Sequence, residues 1–414
     1  MIITIDSLRA DKCFGDNSLY LPNFSRLIKK GIYFRNTFTS VPATVGSLGC
    51  MFTGEYPFKT GISIFHEKSE NESFFEIFKN SSYHRFATVP DVIFFNKWMN
   101  DFDGLDKTEM FGSLDNEIGA KILERLESNK MIEPWIYYIH LMDLHPNANE
   151  QFRIPDEFNK KKYGDTEYDR AVFFVDYWLG KICKKINFEN TLVIITSDHG
   201  HDGEVHSKNK KLKKIIVSGK ILGSRFYGFG KKLYKTVNMI SGEHQQFFSL
   251  SDKILGIPLI FVGHGIKKHM IINELSRNID IFPTVSNLIN LSKKTNISGR
   301  TLLPLFQNKI LQELPIYIEN KIVDLKMDNS SIGIRSSHYK YYRDRKNVHS
   351  KVNLYNLKKD PFEKMNIAEE NPDIVLQMEN ILEDMQNHSP NQNNDTEIDE
   401  EGKIREELKK LGYI

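Results

Sequence analysis

Cysteine is scarce in this chain: 414 residues carry only three, Cys13, Cys50 and Cys183. Their odd number and wide spacing fit neither a disulfide framework nor a Cys-x-x-Cys metal site. Long apolar runs are missing too, so no segment reads as a membrane-spanning helix. The start, MIITIDSLRAD, has no basic stretch and no cleavable apolar core. The expected location is therefore the cytoplasm. Charge of one sign is also lacking: 56 basic residues stand against 54 acidic ones. Nothing global points to nucleic acid as a partner. No internal repeat is present. With 40% hydrophobic residues the chain can bury a sizeable core, as one large domain with an appendage.

What is present alternates between strand and helix. Ile2–Ile5, Trp135–Ile139 (WIYYI), Thr191–Ile195 (TLVII) and Pro258–Val262 are short apolar runs that read as buried strands. Asn23–Lys30, Ser73–Lys79, Asn116–Leu126, Tyr168–Ile186 and Ser249–Leu255 have helical spacing. This pattern predicts an α/β fold: a mostly parallel central sheet with helices on both faces. After about residue 330 the texture changes. Ile332–Arg335, His338–Arg343 and Val352–Asn356 read as a small antiparallel sheet, followed by a helix from Pro372 to Met385. The expected organisation is a catalytic domain over 1–330, a small-sheet subdomain over 331–386, and a polar linker with a terminal helix over 387–414.

Ligands of open parallel sheets sit beyond the carboxyl ends of the strands. Asp6 ends the first strand. His140, Asp143 and His145 (HLMDLH) follow the second of these runs, and Asp198, His199 and His201 (TSDHGH) follow TLVII. His206 and His244 lie further along. Alone, an acid after a strand is usually a turn or cap residue. Convergence changes that reading, because three strands would deliver carboxylate and imidazole to one edge. That donor set suits a divalent ion, with Zn, Mn, Mg and Ca all open.

The segment VPATVGSLGCMFTGEYPFKTG, Val41–Gly61, holds a threonine, a serine and a cysteine that are each a possible nucleophile. Val45–Phe52 reads as a short helix closed by Thr53-Gly54. Thr44 falls at its N-terminus, where free backbone N–H groups favour an oxyanion. A threonine hydroxyl alone is a poor nucleophile, and beside a cation it loses its proton more readily. The plainer role for Thr44 is an N-cap.

With these segments placed, the chain resembles the sulfatase family of the alkaline phosphatase superfamily, from about Ile2 to Met385. The likeness rests on TIDSLRAD, LPNFSRLIKKGIYFRNTFT, TGEYPFKTG, NTLVIITSDHG, IDIFPTVSNLINL, SGRTLLPLF, HYKYYRD and NLYNLKKDPFEKMNIA, in the family's order. The family's nucleophile lies nine residues before the Thr-Gly, which is Thr44 here. In true sulfatases that residue is a cysteine, read from Cys-x-Pro/Ala-x-Arg and converted to formylglycine. This chain has Thr44, Val45, Gly46, Ser47 and Leu48, and Cys50 lies six positions too late. The resemblance therefore implies no formylglycine. It implies instead a covalent threonine ester, like that of the family's phosphoryl-handling relatives.

The resemblance further implies Asp6, Asp198 and His199 as ligands of one divalent metal ion, with Thr44 completing the shell. Ser7 stands where many sulfatases have a second aspartate. His145, with His140 nearby, would hold an ester oxygen or protonate the leaving group. A further histidine would be His206 or His244, with His244 favoured because of its distance before IPLIF. The segment 207–243 is an insertion rich in Lys with Tyr and Phe interleaved, which suits either a solvated loop or an anionic substrate. The activity implied is metal-dependent hydrolysis of a phosphate ester, or of a sulfate ester, on a small-molecule or glycan substrate. The alternative is a phosphotransferase passing the group to a glycan or lipid hydroxyl. An inactive binding module is the third reading, and it would need a missing ligand.

Overall fold

The computed structural model describes residues 1–15, 18–62, 73–110, 112–127, 131–145, 152–201, 249–291, 297–320 and 330–387. Its spine is an eight-stranded sheet. The strands are β1 (Ile2–Ile5), β2 (Ile32–Phe38), β3 (His84–Pro90), β4 (Gly104–Thr108), β5 (Trp135–Leu141), β6 (Leu192–Thr196), β7 (Gly256–Gly263) and β8 (Met270–Arg277). Their spatial order is β4-β3-β5-β1-β6-β7-β2-β8. The pairings β4–β3, β3–β5, β5–β1 and β1–β6 are parallel, as is β2–β8. β7 runs antiparallel to both neighbours, β6 and β2. β2 and β8 therefore point the same way as β1, and all strands but β7 end at one edge. The expected mostly parallel α/β sheet is what the chain forms, with β7 as the reversed strand.

Alternation along the strands builds two cores. Ile3, Ile5, Tyr137, Ile139, Val193 and Ile195 face one side, under the helices Pro22–Lys30 and Glu167–Cys183. Ile2, Phe34, Ile136, Tyr138, Ile194 and Phe261 face the other, under Thr44–Thr53, Phe74–Asn80, Ile93–Met99 and Ile281–Leu288. Side chains of period two on a strand covered on both faces must all be apolar, which is why these strands read as continuous hydrophobic runs. On the second side Phe52 packs edge-on against Phe75, Trp98 and Tyr138, with ring centroids 4.8, 5.3 and 5.4 Å away. This cluster fixes the far end of the helix that starts at Thr44.

The small antiparallel sheet has the order β12-β11-β10-β9, from β9 (Ile316–Asn320), β10 (Ser331–Arg335), β11 (Tyr339–Asp344) and β12 (Asn353–Asn356). The helix Pro372–Asn387 packs on it through Met378 and Leu382. Because β9 precedes residue 330, the sheet begins earlier than the change in sequence texture indicated. IYIEN carries too few residues to stand out as a strand until β10 pairs with it. A buried charge cluster ties the two sheets together. Lys340, fully buried, bonds Asp252, Glu363 and the Leu250 carbonyl at 2.6, 2.7 and 2.7 Å, and Arg335 bonds Asp252 at 2.8 Å. Of the expected helix Ser249–Leu255 only Asp252–Leu255 forms, because this segment is taken up by those contacts. The linker and terminal helix after 387, the insertion 207–243, His206 and His244 all lie outside the described residues.

Candidate active site at the carboxyl edge of the sheet

β1, β5, β6, β2 and β8 end together, so the residues that follow them meet. Asp6 follows β1, and its N–H is held by the Leu141 carbonyl of β5 at 2.9 Å. Asp198 and His199 follow β6. Gly200 allows that turn to press against the next segment. Its N–H donates to the Ile254 carbonyl at 2.6 Å, and a Cβ there would lie 2.2 Å from the Lys253 carbonyl oxygen. Asp6, Asp198 and His199 each offer one ligand atom, all within 4.8 Å of one another and all buried.

Thr44 is the first residue of the helix Thr44–Thr53, after Ala43, which provides no side-chain cap. The N-cap role does not describe Thr44. Its Oγ1 donates to Asp6 Oδ2 at 3.1 Å and lies 3.4 Å from His199 Nε2. The helix closes at Gly54, whose φ of 68° is the left-handed cap conformation. Ser47, one turn on, gives its hydroxyl to the Asp198 carbonyl at 2.5 Å. Cys50 points away, into the cluster of Tyr56, Tyr317 and Ile279, and burial pushes its thiol pKa well up. Of the three candidate nucleophiles, only Thr44 faces the acids.

The electrostatics divide the two acids. Burial alone would raise Asp6, yet the adjacent His140 imidazole and the charges of His145 and His199 hold it well below the usual carboxylate range. Asp198 is raised, first by burial and then by the charge of Asp6. Burial lowers His199, but Asp198 and Asp6 outweigh it, so its pKa is raised. Asp198 Oδ1 accepts the N–H groups of His199 and Ser7 at 2.7 and 3.1 Å, while Oδ2 is buried without a hydrogen-bond partner. His199 Nδ1 contacts the Gly200 carbonyl at 2.8 Å. A proton on that nitrogen leaves Nε2 with its lone pair turned inward, the arrangement a metal-binding imidazole takes. Two adjacent buried carboxylates, an orphaned carboxylate oxygen and an imidazole nitrogen that faces the Thr44 hydroxyl beside them fit a divalent cation.

The remaining expected residues divide. His140, on β5, places Nε2 3.5 Å from Asp6 Oδ2 and lies tilted against Phe95, with ring centroids 4.9 Å apart. His145 is half-buried just beyond, its field reaching Asp6. Asp143 does not converge with them: Oδ1 accepts from Ser113 Oγ and Leu114 N–H, both at 2.9 Å, so it caps the segment starting at Leu114. His201 is buried between Phe152 and Tyr168. Ser7, read as a lost ligand, has a φ of 60° and gives its hydroxyl to Asp6 Oδ1 at 2.7 Å. It orients both carboxylates from behind. Tyr168 was not foreseen: its hydroxyl donates to the Ser7 carbonyl at 2.8 Å and accepts from the Arg9 N–H at 3.0 Å. No sequence signal marks it, because Tyr168 lies in an amphipathic helix far along the chain.

The family model described as Sulfatase matches residues 1–291, and that for the C-terminal region of N-sulphoglucosamine sulphohydrolase matches residues 242–388. The chain is 24% identical to an ulvan-active sulfatase of Formosa agariphila, over 90% of this chain and 76% of that one. It is 21% identical to human arylsulfatase K, over 90% and 79%. Its fold is similar to that of BT4656, solved in complex with D-glucosamine-2-N,6-O-disulfate. There the TM-score is 0.67 at 15% identity, covering 94% of this chain and 97% of that one. It is equally similar to the phosphonate monoester hydrolase of Agrobacterium radiobacter, with a TM-score of 0.67 at 15% identity, covering 93% and 94%. Among the described residues no helix is long and apolar enough to cross a membrane. With the family model spanning well over half of its length, the chain belongs to the sulfatase family.

Proposed function

We propose that this protein is a metal-dependent ester hydrolase that works through a covalent Thr44 intermediate and prefers phosphate to sulfate esters. The observation that carries this reading is Thr44 Oγ1 lying 3.1 Å from Asp6 Oδ2 and 3.4 Å from His199 Nε2, while Cys50 is packed elsewhere. A formylglycine hydrate can expel sulfate by collapsing to an aldehyde, and a threonine has no such route. A phosphoryl group on threonine can instead be released by water.

Asp6, Asp198 and His199 would hold a divalent cation, which would supply positive charge beside the Thr44 hydroxyl and the ester oxygens. The Thr44 proton already faces Asp6 Oδ2. Oγ1 attacks phosphorus, the bond to the leaving oxygen breaks, and His145 donates the proton that this oxygen needs. His140 holds Asp6 from the β5 side. Water then attacks the same phosphorus from the vacated side and gives a proton to His145, replacing the one it lost, while the bond to Oγ1 breaks and Thr44 recovers its own proton from Asp6. The free N–H groups at the start of the Thr44–Thr53 helix are suited to stabilise negative charge that develops beside Thr44. A single donor of this kind typically contributes about 10²–10³ in rate.

The test is a panel of p-nitrophenyl phosphate, bis-(p-nitrophenyl) phosphate, a phosphonate monoester and p-nitrophenyl sulfate, each with Mg²⁺, Mn²⁺, Ca²⁺ or Zn²⁺. A phosphoester or phosphonate is expected to turn over fastest, and Thr44→Ala to lose turnover by at least about 10³ while still binding metal. Mass spectrometry of trapped enzyme should find the adduct on the peptide holding Thr44. Full activity in Thr44→Ala would remove the covalent step. The second reading is sulfate-ester hydrolysis on a glycan, favoured by the sulfatases among the relatives and by the glucosamine disulfate bound to BT4656. Sulfate as the best substrate would establish it.

A further inference from the structure

Behind the site runs a chain of hydrogen bonds that none of the steps above uses. Asn278, just past the end of β8, donates from Nδ2 to Thr39 Oγ1 at 3.0 Å and to the Ser47 carbonyl at 3.0 Å. Thr39, just past the end of β2, donates from Oγ1 to Ser47 Oγ at 2.7 Å. Ser47 in turn donates to the Asp198 carbonyl at 2.5 Å. All four residues are buried. The direction of the chain is fixed, because a carbonyl at its far end can only accept and the amide facing the Ser47 carbonyl can only be the NH₂. Ser47 Oγ thus accepts from Thr39 and, at 3.3 Å, from Asn278 Nδ2, and it donates its one proton to the Asp198 carbonyl. Asn278 Oδ1 is left buried without a partner. Burying an unpaired amide oxygen is unfavourable, so packing alone gives no reason for an asparagine here.

The chain joins the ends of β8 and β2, through the helix at Ser47, to one peptide that follows β6. Ser47 lies three residues after Thr44, on the same helical face, so what fixes Ser47 fixes Thr44. The Asp198 carbonyl belongs to the peptide between Asp198 and His199, the two ligands from β6. We infer that Asn278, Thr39 and Ser47 are positioning residues that set the spacing between the Thr44 hydroxyl and the cation-binding pair Asp198–His199. This rests on the proposed metal-dependent reading of the site. None of the three touches the reacting atoms. They act through the helix and the loop, where an offset of about 1 Å can cost on the order of 10² in rate.

The experiment titrates Mn²⁺ by calorimetry into the full-length wild type, Thr39→Val, Thr39→Ser and Ser47→Ala, with metal-free melting curves and Mn²⁺ electron-paramagnetic-resonance spectra in parallel. Thr39→Val keeps the shape and removes the hydroxyl, and Thr39→Ser keeps the hydroxyl. The expected result is about ten- to a hundredfold weaker Mn²⁺ binding in Thr39→Val and Ser47→Ala. Their spectra should be altered, and Thr39→Ser should come back near wild type at a similar metal-free melting temperature. Should Thr39→Val not fold, Ser47→Ala decides the matter alone. Wild-type affinity and spectrum in both hydroxyl-deleted variants would overturn the inference and leave the metal-dependent reading standing. A wild type that binds no Mn²⁺, Mg²⁺, Zn²⁺ or Ca²⁺ would overturn both.

Discussion

Replacing Asp198 by asparagine separates the two energetic roles of that carboxylate. Oδ1 faces the N–H groups of His199 and Ser7 at 2.7 and 3.1 Å, so the amide oxygen of the variant must occupy that position. Its NH₂ then stands at the Oδ2 position, beside His199 Nε2, which lies 3.6 Å from Oδ2 in the wild type. A donor there cannot ligate a cation. Two unit charges about 4 Å apart interact by about 4 kcal/mol at an effective dielectric of about 20. A divalent ion at ligand distance feels at least this much from one carboxylate. With about 1.4 kcal/mol per factor of ten, Asp198→Asn should bind metal at least about a thousandfold more weakly. The metal-free protein should respond in the opposite direction. Asp198 is buried beside Asp6 and its pKa is raised, so the ionised form is disfavoured in the fold. A neutral amide keeps the Oδ1 bonds and removes that repulsion. Metal-free Asp198→Asn should therefore melt no lower than the metal-free wild type, while added metal, which raises the wild-type melting temperature, leaves the variant unchanged. Calorimetric titration and paired melting curves test this. Wild-type metal affinity in the variant, or a metal-free form much less stable than wild type, would refute the argument.

Asp143 gives a pH dependence of known sign. Burial pushes its carboxyl up to about 6, above its ordinary value of 3.8. The folded state therefore binds the extra proton between these values, and stability falls as pH rises through that window, by about 3 kcal/mol. About 1.4 kcal/mol of that fall lies between pH 5 and pH 8, and because Asp143→Asn keeps the acceptor for Ser113 and Leu114, denaturant unfolding of the variant at these two pH values should lack most of it. Equal pH dependence in both proteins would refute it. Cys50 tests the choice of nucleophile from the other side. Its thiol is buried and its pKa raised, as are those of Cys13 and Cys183. Iodoacetamide should leave activity intact in the folded protein, and Cys50→Ala should retain turnover at a stability cost of about 1 kcal/mol. Loss of turnover in Cys50→Ala without loss of fold would reopen the cysteine reading.

The central strands were legible because burial on both faces forces apolar runs, and β1, β5 and β6 match their expected bounds within a residue or two. The weaker strands were not. β2 (IYFRNTF) carries exposed Arg35 and half-buried Asn36 where its register shifts, and β4 (GLDKT) and β8 (MIINELSR) lie at the two sheet edges, where one side lacks a neighbour. Their polar residues break the period that identifies a strand. The reversal of β7 was hidden for another reason: GIPLIFVG is apolar in either direction, and chain direction within a sheet leaves no trace in composition.

The choice among Thr44, Ser47 and Cys50 shows how far local sequence reaches. At about 100° per residue, positions three apart on a helix lie within about 60° of one another, and positions six apart differ by about 120°. Once the helix is known to start at Thr44, Cys50 must face away from Thr44, and its packing against Tyr56 and Tyr317 follows. Ser47 shares the Thr44 face, and helical phase cannot separate these two. What separates them is height along the helix axis. Asp6 lies level with the first turn and takes the Thr44 hydroxyl, whereas the Asp198 carbonyl lies level with the second and takes that of Ser47. Those heights are set by β1 and β6, paired side by side in the sheet though about 190 residues apart in the chain. Two hydroxyls of similar chemistry thus receive different work from the register of two strands: one is left facing the acids, and the other has its proton committed to a carbonyl.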